Sequence, residues 1–163
     1  MIETTPSLGF TEAINAAASK IFQIKGRSRR SEFWWTHMIV YLLSTALTPV
    51  SIFGGILNLL VIPLKIRRLH DTGRSAWWWG IGALIKISFV VYILYSSAKL
   101  ALNGYEFEDY DSFVFEYIVL KGILFIGAIA IYDVFLLILC CIDSDKGENK
   151  YGPSPKYIDK EIV

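Results

Sequence analysis

The sequence predicts an all-α fold: an integral-membrane four-helix bundle, preceded by a short amphipathic helix and followed by an irregular C-terminal tail. Three observations predict it. Hydrophobic residues make up 54% and aromatic residues 15% of the 163, with mean hydropathy +0.46, more apolar surface than a soluble domain clothes in polar groups. From Trp34 to Leu64 there is no Asp, Glu, Lys or Arg. The formal net charge is only +1, yet the charges are sorted into blocks along the chain, basic groups beside tryptophans and acidic groups beside tyrosines. That near-neutral sum also excludes the overall basic field of a nucleic-acid-binding protein.

The predicted organisation is an N-terminal amphipathic helix and basic segment over 1–30, a transmembrane domain over 31–142, and a cytoplasmic tail over 143–163. Between Ser7 and Ile24, the residues Phe10, Ile14, Ala17 and Ile21 recur at helical spacing, with Glu12, Asn15 and Lys20 elsewhere on the wheel. From Met1 to about Ser28 the positive-then-apolar order of a signal peptide is missing, so insertion is expected to be directed by the spans themselves. Lys25, Arg27, Arg29 and Arg30 then run into Phe33, Trp34 and Trp35, the order in which a chain leaves anionic head groups and enters hydrocarbon.

The uncharged stretch that follows is about 46 Å long as a helix, against roughly 30 Å for one hydrocarbon core. Two crossings, about 31–48 and 50–67 with a turn near Pro49 or Gly54-Gly55, keep Arg27–Arg30 and Lys65–Arg68 on one face, as the positive-inside tendency requires. A basic loop, Lys65 to Ser75, joins them to the third span; Gly73 is suited to follow a helix end and Ser75 to cap the next start. The third span runs over 77–97 from Trp77-Trp78-Trp79, and the fourth over 117–142. The connection between these two carries Glu106, Glu108, Asp109 and Asp111 and belongs outside; the tail, with Gly147, Gly152, Pro153 and Pro155, has too little apolar surface to fold alone. Both termini are thereby expected in the cytoplasm.

Charged groups inside the spans are the first candidates for function. Lys86 lies about 13 Å into the third span and Asp133 about 15 Å into the fourth, so antiparallel neighbours bring them to the same depth. A lone charge there costs at least about 2.5 kcal/mol, which predicts that they pair. The pair serves either as a proton or ion relay or as a strut that fixes helix packing. Lys121 is expected to snorkel outwards.

The second constellation is cytoplasmic: Arg27, Arg29, Arg30, Arg67, Arg68 and Arg74, with His70 and Asp71. Guanidinium groups hold phosphate bidentately, so this face could bind an anionic lipid head group or a phosphorylated ligand. The alternative is orientation by positive charge, with Asp71 and Glu32 locking the loops through salt bridges. No metal site or cofactor is expected: His70-Asp71 lacks further ligands at useful spacing apart from the distant His37, and Cys140-Cys141 lie in an apolar run. Ser31, Ser75 and Ser88 lack a nucleophile-elbow context, there is no phosphate-binding glycine loop, and Gly80 and Gly82 permit close helix approach, so an enzyme is not expected.

Three stretches, Gly26-Arg27-Ser28-Arg29-Arg30-Ser31-Glu32-Phe33-Trp34, Arg67-Arg68-Leu69-His70-Asp71-Thr72-Gly73-Arg74-Ser75-Ala76-Trp77 and Gly147-Glu148-Asn149-Lys150-Tyr151-Gly152-Pro153-Ser154-Pro155, closely resemble signature stretches of the YhaH-like small bacterial inner-membrane proteins, the domain of unknown function 805 family. Ala76 departs from the small residue, often glycine, usual before the tryptophan. The resemblance implies a four-helix bacterial inner-membrane protein and carries over no catalytic residue. All three stretches fall on the side assigned to the cytoplasm, so they are expected to pack into one cap, with Asn149, Tyr151 and Gly152 of the tail covering the arginine loop. Two functions stay open: a binding or scaffold protein using that cap, whose partners are the bilayer, an anionic head group or phosphorylated ligand, and further copies of itself; or a small transporter or channel built on Lys86 and Asp133.

Overall fold

The computed structural model describes residues 2–47, 53–102 and 112–159, and the chain is mostly helical. In order it forms β1 (Ile2–Thr4), α1 (Phe10–Ala18), α2 (Arg30–Leu47), α3 (Phe53–Leu60), α4 (Ile62–Asp71), α5 (Trp77–Leu102), α6 (Ser112–Cys141) and β2 (Tyr157–Asp159). Two compact units result, one from 1–76 with 138–163, the other from 77–137. The predicted acidic connection and the turn at Pro49 lie outside the described residues.

In the first unit, Glu12 reaches back to accept from the Gly9 N–H at 3.0 Å, securing the start of α1. The helix is shorter than the predicted 7–24: after Ala18 the bonds tighten, Lys20 donating to Ala17 and Ile21 to Ala18, while the Ser19 hydroxyl donates to Ala16. Ala13 and Ala17 are buried, and α1 packs on α2, which also meets α3 and α4.

The predicted second span, 50–67, is not one helix. It divides into α3 and α4 at Val61, because Pro63 has no N–H to continue the ladder and is instead placed in the first turn of a new helix. Gly54 and Gly55, offered as a turn, lie inside α3. At its other end α4 closes in a Schellman motif: Arg74 donates to Leu69 and Gly73 to His70, with Gly73 left-handed at φ 72°. A Cβ at Gly73 would stand 2.8 Å from Asp145, a second reason for glycine.

The tail is more ordered than its composition predicts. Its β2 pairs antiparallel with β1, Ile2 opposite Asp159 and Thr4 opposite Tyr157, so the two ends of the chain share one small sheet. Asn149 and Gly152 exchange backbone hydrogen bonds in a tight turn before it, and Gly152 is left-handed at φ 121°.

In the second unit, α5 and α6 run antiparallel. Phe89 and Tyr92 both pack on Phe125, Tyr92 donates to the Ile118 carbonyl, and Tyr132 donates to the Trp78 carbonyl at 2.7 Å. Gly82 permits the close approach expected of it, since a Cβ there would lie 2.9 Å from the Tyr132 ring. Gly80 does not: its nearest neighbour is the ring of Trp77 on its own helix. Apolar side chains such as Leu84, Val91, Leu94, Leu124 and Ile131 are exposed. Among the described residues two helical stretches, 77–99 and 116–141, are long and apolar enough to cross a membrane; α2, at 18 residues, and the divided α3–α4 pair are not among them.

Candidate functional site

The core of the first unit is built around charge. Asp71, the last residue of α4, is fully buried, and its carboxylate receives Arg27 Nε at 2.9 Å, Arg68 Nη1 and the Ser144 hydroxyl. Arg27 also donates to the carbonyls of Asp71, Asp145, Gly147 and Gly152. Arg68 donates to those of Ser28, Cys140 and Ile142. Two guanidinium forks thus join the segment before α2, the end of α4, the end of α6 and the tail turn around one carboxylate. Almost all of their donors are spent on protein oxygens, which is what burial of charge demands.

His70 and the tail are joined face to face. The ring stacks on Tyr151 at 3.7 Å between centroids and 7° between planes. His70 Nδ1 lies 3.2 Å from the Gly26 carbonyl, an arrangement in which Nδ1 carries the proton and donates. Burial holds the His70 pKa below its usual value of 6.5, opposed by the Gly26 hydrogen bond and assisted by Lys150. Asn149 donates to the His70 carbonyl at 3.0 Å. The predicted tail residues Asn149, Tyr151 and Gly152 therefore all touch the basic loop or its partner Arg27.

The remaining arginines divide. Arg67 is buried and faces Glu32 at 3.1 Å. Arg74 is half-buried and donates to the Thr72 carbonyl. Arg29 and Arg30 differ from all of these, because they line a cavity of about 110 Å³ together with Thr5, Ser7, Ser31, Ser144 and Lys156. That lining offers three cations and four hydroxyls and contains no carboxylate. Arg29 donates to the Thr5 carbonyl at 2.9 Å and to its hydroxyl. Just beside the cavity Asp143 accepts from Lys156 at 2.6 Å and pairs with Arg30 at 3.1 Å. The Lys156 hydrogen bond is the main reason the Asp143 pKa falls to about 2, and the same bond raises that of Lys156. One carboxylate thus stands against three cations, and the first turn of the 18-residue α2 starts at Arg30 with its positive dipole end at the same place.

The arginines named from the sequence therefore do not form one surface: Arg27, Arg67 and Arg68 are internal, while Arg29 and Arg30 line the cavity at the start of α2. Sequence reasoning missed Lys156, Thr5 and Ser144. Lys156 reaches the cavity through the β1–β2 pairing, and three-residue strands are too short to announce themselves by alternation. In the second unit Lys86 and Asp133 meet at 2.7 Å with about half of each side chain exposed, 50% and 44%. Among the described residues no three His, Cys, Asp or Glu side chains gather as metal ligands.

A family model described as protein of unknown function (DUF805) matches residues 47–153, which takes in α3 to the tail turn and so Arg67 to Arg74 and Asn149 to Gly152, but not Arg27 to Arg30. No curated protein and no solved structure matches the chain.

Proposed function

From the premise that this chain belongs to the DUF805 family of proteins of unknown function, we propose that it is a multi-pass bacterial inner-membrane binding protein whose cytoplasmic cap holds a phosphate-class anion. The observation that carries the reading is the Arg29–Arg30–Lys156 cavity at the start of α2, where cations, hydroxyls and a helix N-terminus converge. The anion belongs to a lipid head group or to a soluble phosphorylated molecule. Trp34 and Trp35 follow within about one helical turn, 37% and 38% exposed, an anchor at head-group level that favours the lipid.

The membrane part of the proposal is the four-span map, with crossings near 31–48, 50–67, 77–97 and 117–142 and both termini cytoplasmic. Pairing of β1 with β2 supports it, since strands hydrogen-bonded to each other lie on one side of a bilayer and require an even number of crossings. The break at Pro63 is tolerable in a span whose neighbours satisfy the freed backbone groups. Arg27, Arg68 and Asp71 then act as the frame of the cap, not as its ligand contacts.

Native mass spectrometry of the gently extracted protein, beside an Arg30→Gln/Lys156→Gln variant, tests the reading. Retention of an anionic phospholipid, or of a soluble phosphorylated compound, by the wild type and its loss from the variant is the expected result, and the mass tells the two sources apart. Ligand-free spectra for both, unchanged by added phosphatidylglycerol or inorganic phosphate, would overturn it. A transporter reading rests on the Lys86–Asp133 pair, and is favoured by its half-exposed position on two helices long enough to span a membrane.

A further inference from the structure

A second cavity, also about 110 Å³, lies within the first unit and differs in character from the anion site. Ile14, Ala17 and Ile21 of the α1 segment, Val40 of α2, and Leu60 and Leu64 of α3 and α4 give it an apolar wall. Two polar groups interrupt that wall, Thr36 and Arg67. The Arg67 side chain is 1% exposed and faces Glu32 Oε1 at 3.1 Å. Among the described residues, however, none of its three guanidinium nitrogens has a hydrogen-bond partner of good geometry, nor has Thr36 Oγ1 or Glu32 Oε1. Contrast with Arg27 and Arg68, whose donors are spent on protein oxygens, makes this informative. A buried ion pair is tolerable only when its remaining protons are hydrogen-bonded, so Arg67 is placed to donate to an acceptor that the described residues do not supply.

The charge balance limits what that partner is. Glu32 already neutralises Arg67, so a buried second carboxylate or phosphate would leave the site with a net negative charge, and a cation would abut the guanidinium. A neutral acceptor fits: it takes the donors without disturbing the balance. The apolar wall favours an acceptor attached to a short run of aliphatic carbon, since apolar cavity walls take up small hydrocarbons. Residues adjoining the lining in sequence, Phe22 at 82% and Leu59 at 59% exposure, are apolar and outward, as they would be where such a chain enters from lipid.

We infer that the α1–α2–α4 cavity is a binding site for the ester-carbonyl end of a lipid acyl chain, with Arg67 and Thr36 donating to the carbonyl and Ile14, Ala17, Val40 and Leu64 enclosing the first carbons. The inference rests on the membrane reading above but not on the anion site. The test uses the full chain reconstituted in phosphatidylcholine vesicles containing a phosphatidylcholine with a photoactivatable diazirine on the acyl carbons nearest the ester. Cross-linked peptides are mapped by mass spectrometry. Labels on the 10–21 and 60–68 segments, in addition to α5 and α6, are expected, and Ala17→Leu, which fills the cavity, should reduce the former at least fivefold and leave the latter. Val40→Phe, filling the cavity from α2, makes the same comparison if Ala17→Leu disturbs the fold. Labelled α5 and α6 with no label on the two cavity segments would mean that water serves Arg67 instead and would overturn the inference alone. Labels that persist in both filled variants would also overturn it, since they would then arise outside the cavity. No labelling anywhere would remove the membrane reading with it.

Discussion

The two units of this molecule treat charge in opposite ways. In the first, charged side chains are as deeply buried as apolar ones: Arg67, Arg68 and Asp71 stand beside Phe33 and Leu69 among the largest fully enclosed side chains. In the second, the helices present apolar side chains outward, and the Lys86–Asp133 ion pair is half exposed. In the first unit a network of charged groups ties helix ends and tail together around Asp71, as burial of charge demands, whereas the apolar outer faces of the second are what lipid requires. Charge serves as the core of one unit and is the exception in the other.

Breaking the comparison at its strongest point has the largest expected effect. Asp71→Ala leaves Arg27 and Arg68 buried without their shared carboxylate, and removal of one side of a buried pair costs about 3–5 kcal/mol. Thermal unfolding of the detergent-solubilised protein should show a markedly lowered midpoint; an unchanged midpoint would mean that the backbone carbonyls around these arginines suffice. In the second unit, Lys86→Met leaves Asp133 unpaired where lipid is expected, at a cost of at least about 2.5 kcal/mol. The Lys86→Met/Asp133→Leu double variant should recover most of that loss in the same assay, and a double variant no better than the single would contradict the pairing account.

Smaller effects sharpen the contrast. Gly82→Ala forces a Cβ against the Tyr132 ring and should destabilise by about 1–3 kcal/mol, the scale of overpacking, whereas Gly80→Ala, facing only Trp77 of its own turn, should be close to neutral. The comparison of the two melting curves checks whether close helix approach holds the second unit together. The smallest effect is a pH dependence in the first. Because His70 has a folded pKa below 6.5, its neutral form is favoured by folding. Its contribution is therefore present above pH 6.5 and is lost as pH falls through the lower folded value. Asp143 stays ionised down to about pH 2, so the Lys156–Asp143 bond does not change in that window. Tyr151 fluorescence or tail proteolysis should report loosening below pH 6.5 in the wild type, and His70→Phe, which keeps a ring against Tyr151, should abolish the pH dependence.

Much of the second unit was legible in the sequence because its physics is one-dimensional. Length, apolar runs and the depth of Lys86 and Asp133 on their helices follow from a rise of about 1.5 Å per residue, and the two residues do meet. The first unit was legible only in its parts. The sequence marked Asp71 and Glu32 as partners for arginine loops and the tail as their cover, but which arginine is sealed in the core and which lines a cavity depends on contacts made across the chain. Arg29 and Arg27 are two residues apart, yet one lines a cavity and the other is sealed against Asp71 and the tail. Pro63 is a readable signal for the division of the second predicted span, which the uncharged run alone does not show. The β1–β2 pairing gave no signal at all, since its register rests on three residues at each end of the chain.

Asp71 is the group that fastens the tail to the basic loop, and limited proteolysis of the membrane-reconstituted protein tests that most directly. Cleavage within 143–159 should be slow in the wild type and much faster in both Asp71→Ala and Arg68→Ala, with cleavage elsewhere little changed. Equal cleavage rates in the wild type and both variants would contradict it, and would mean that the β1–β2 pairing, Tyr151 and Asn149 hold the tail without the Asp71 carboxylate.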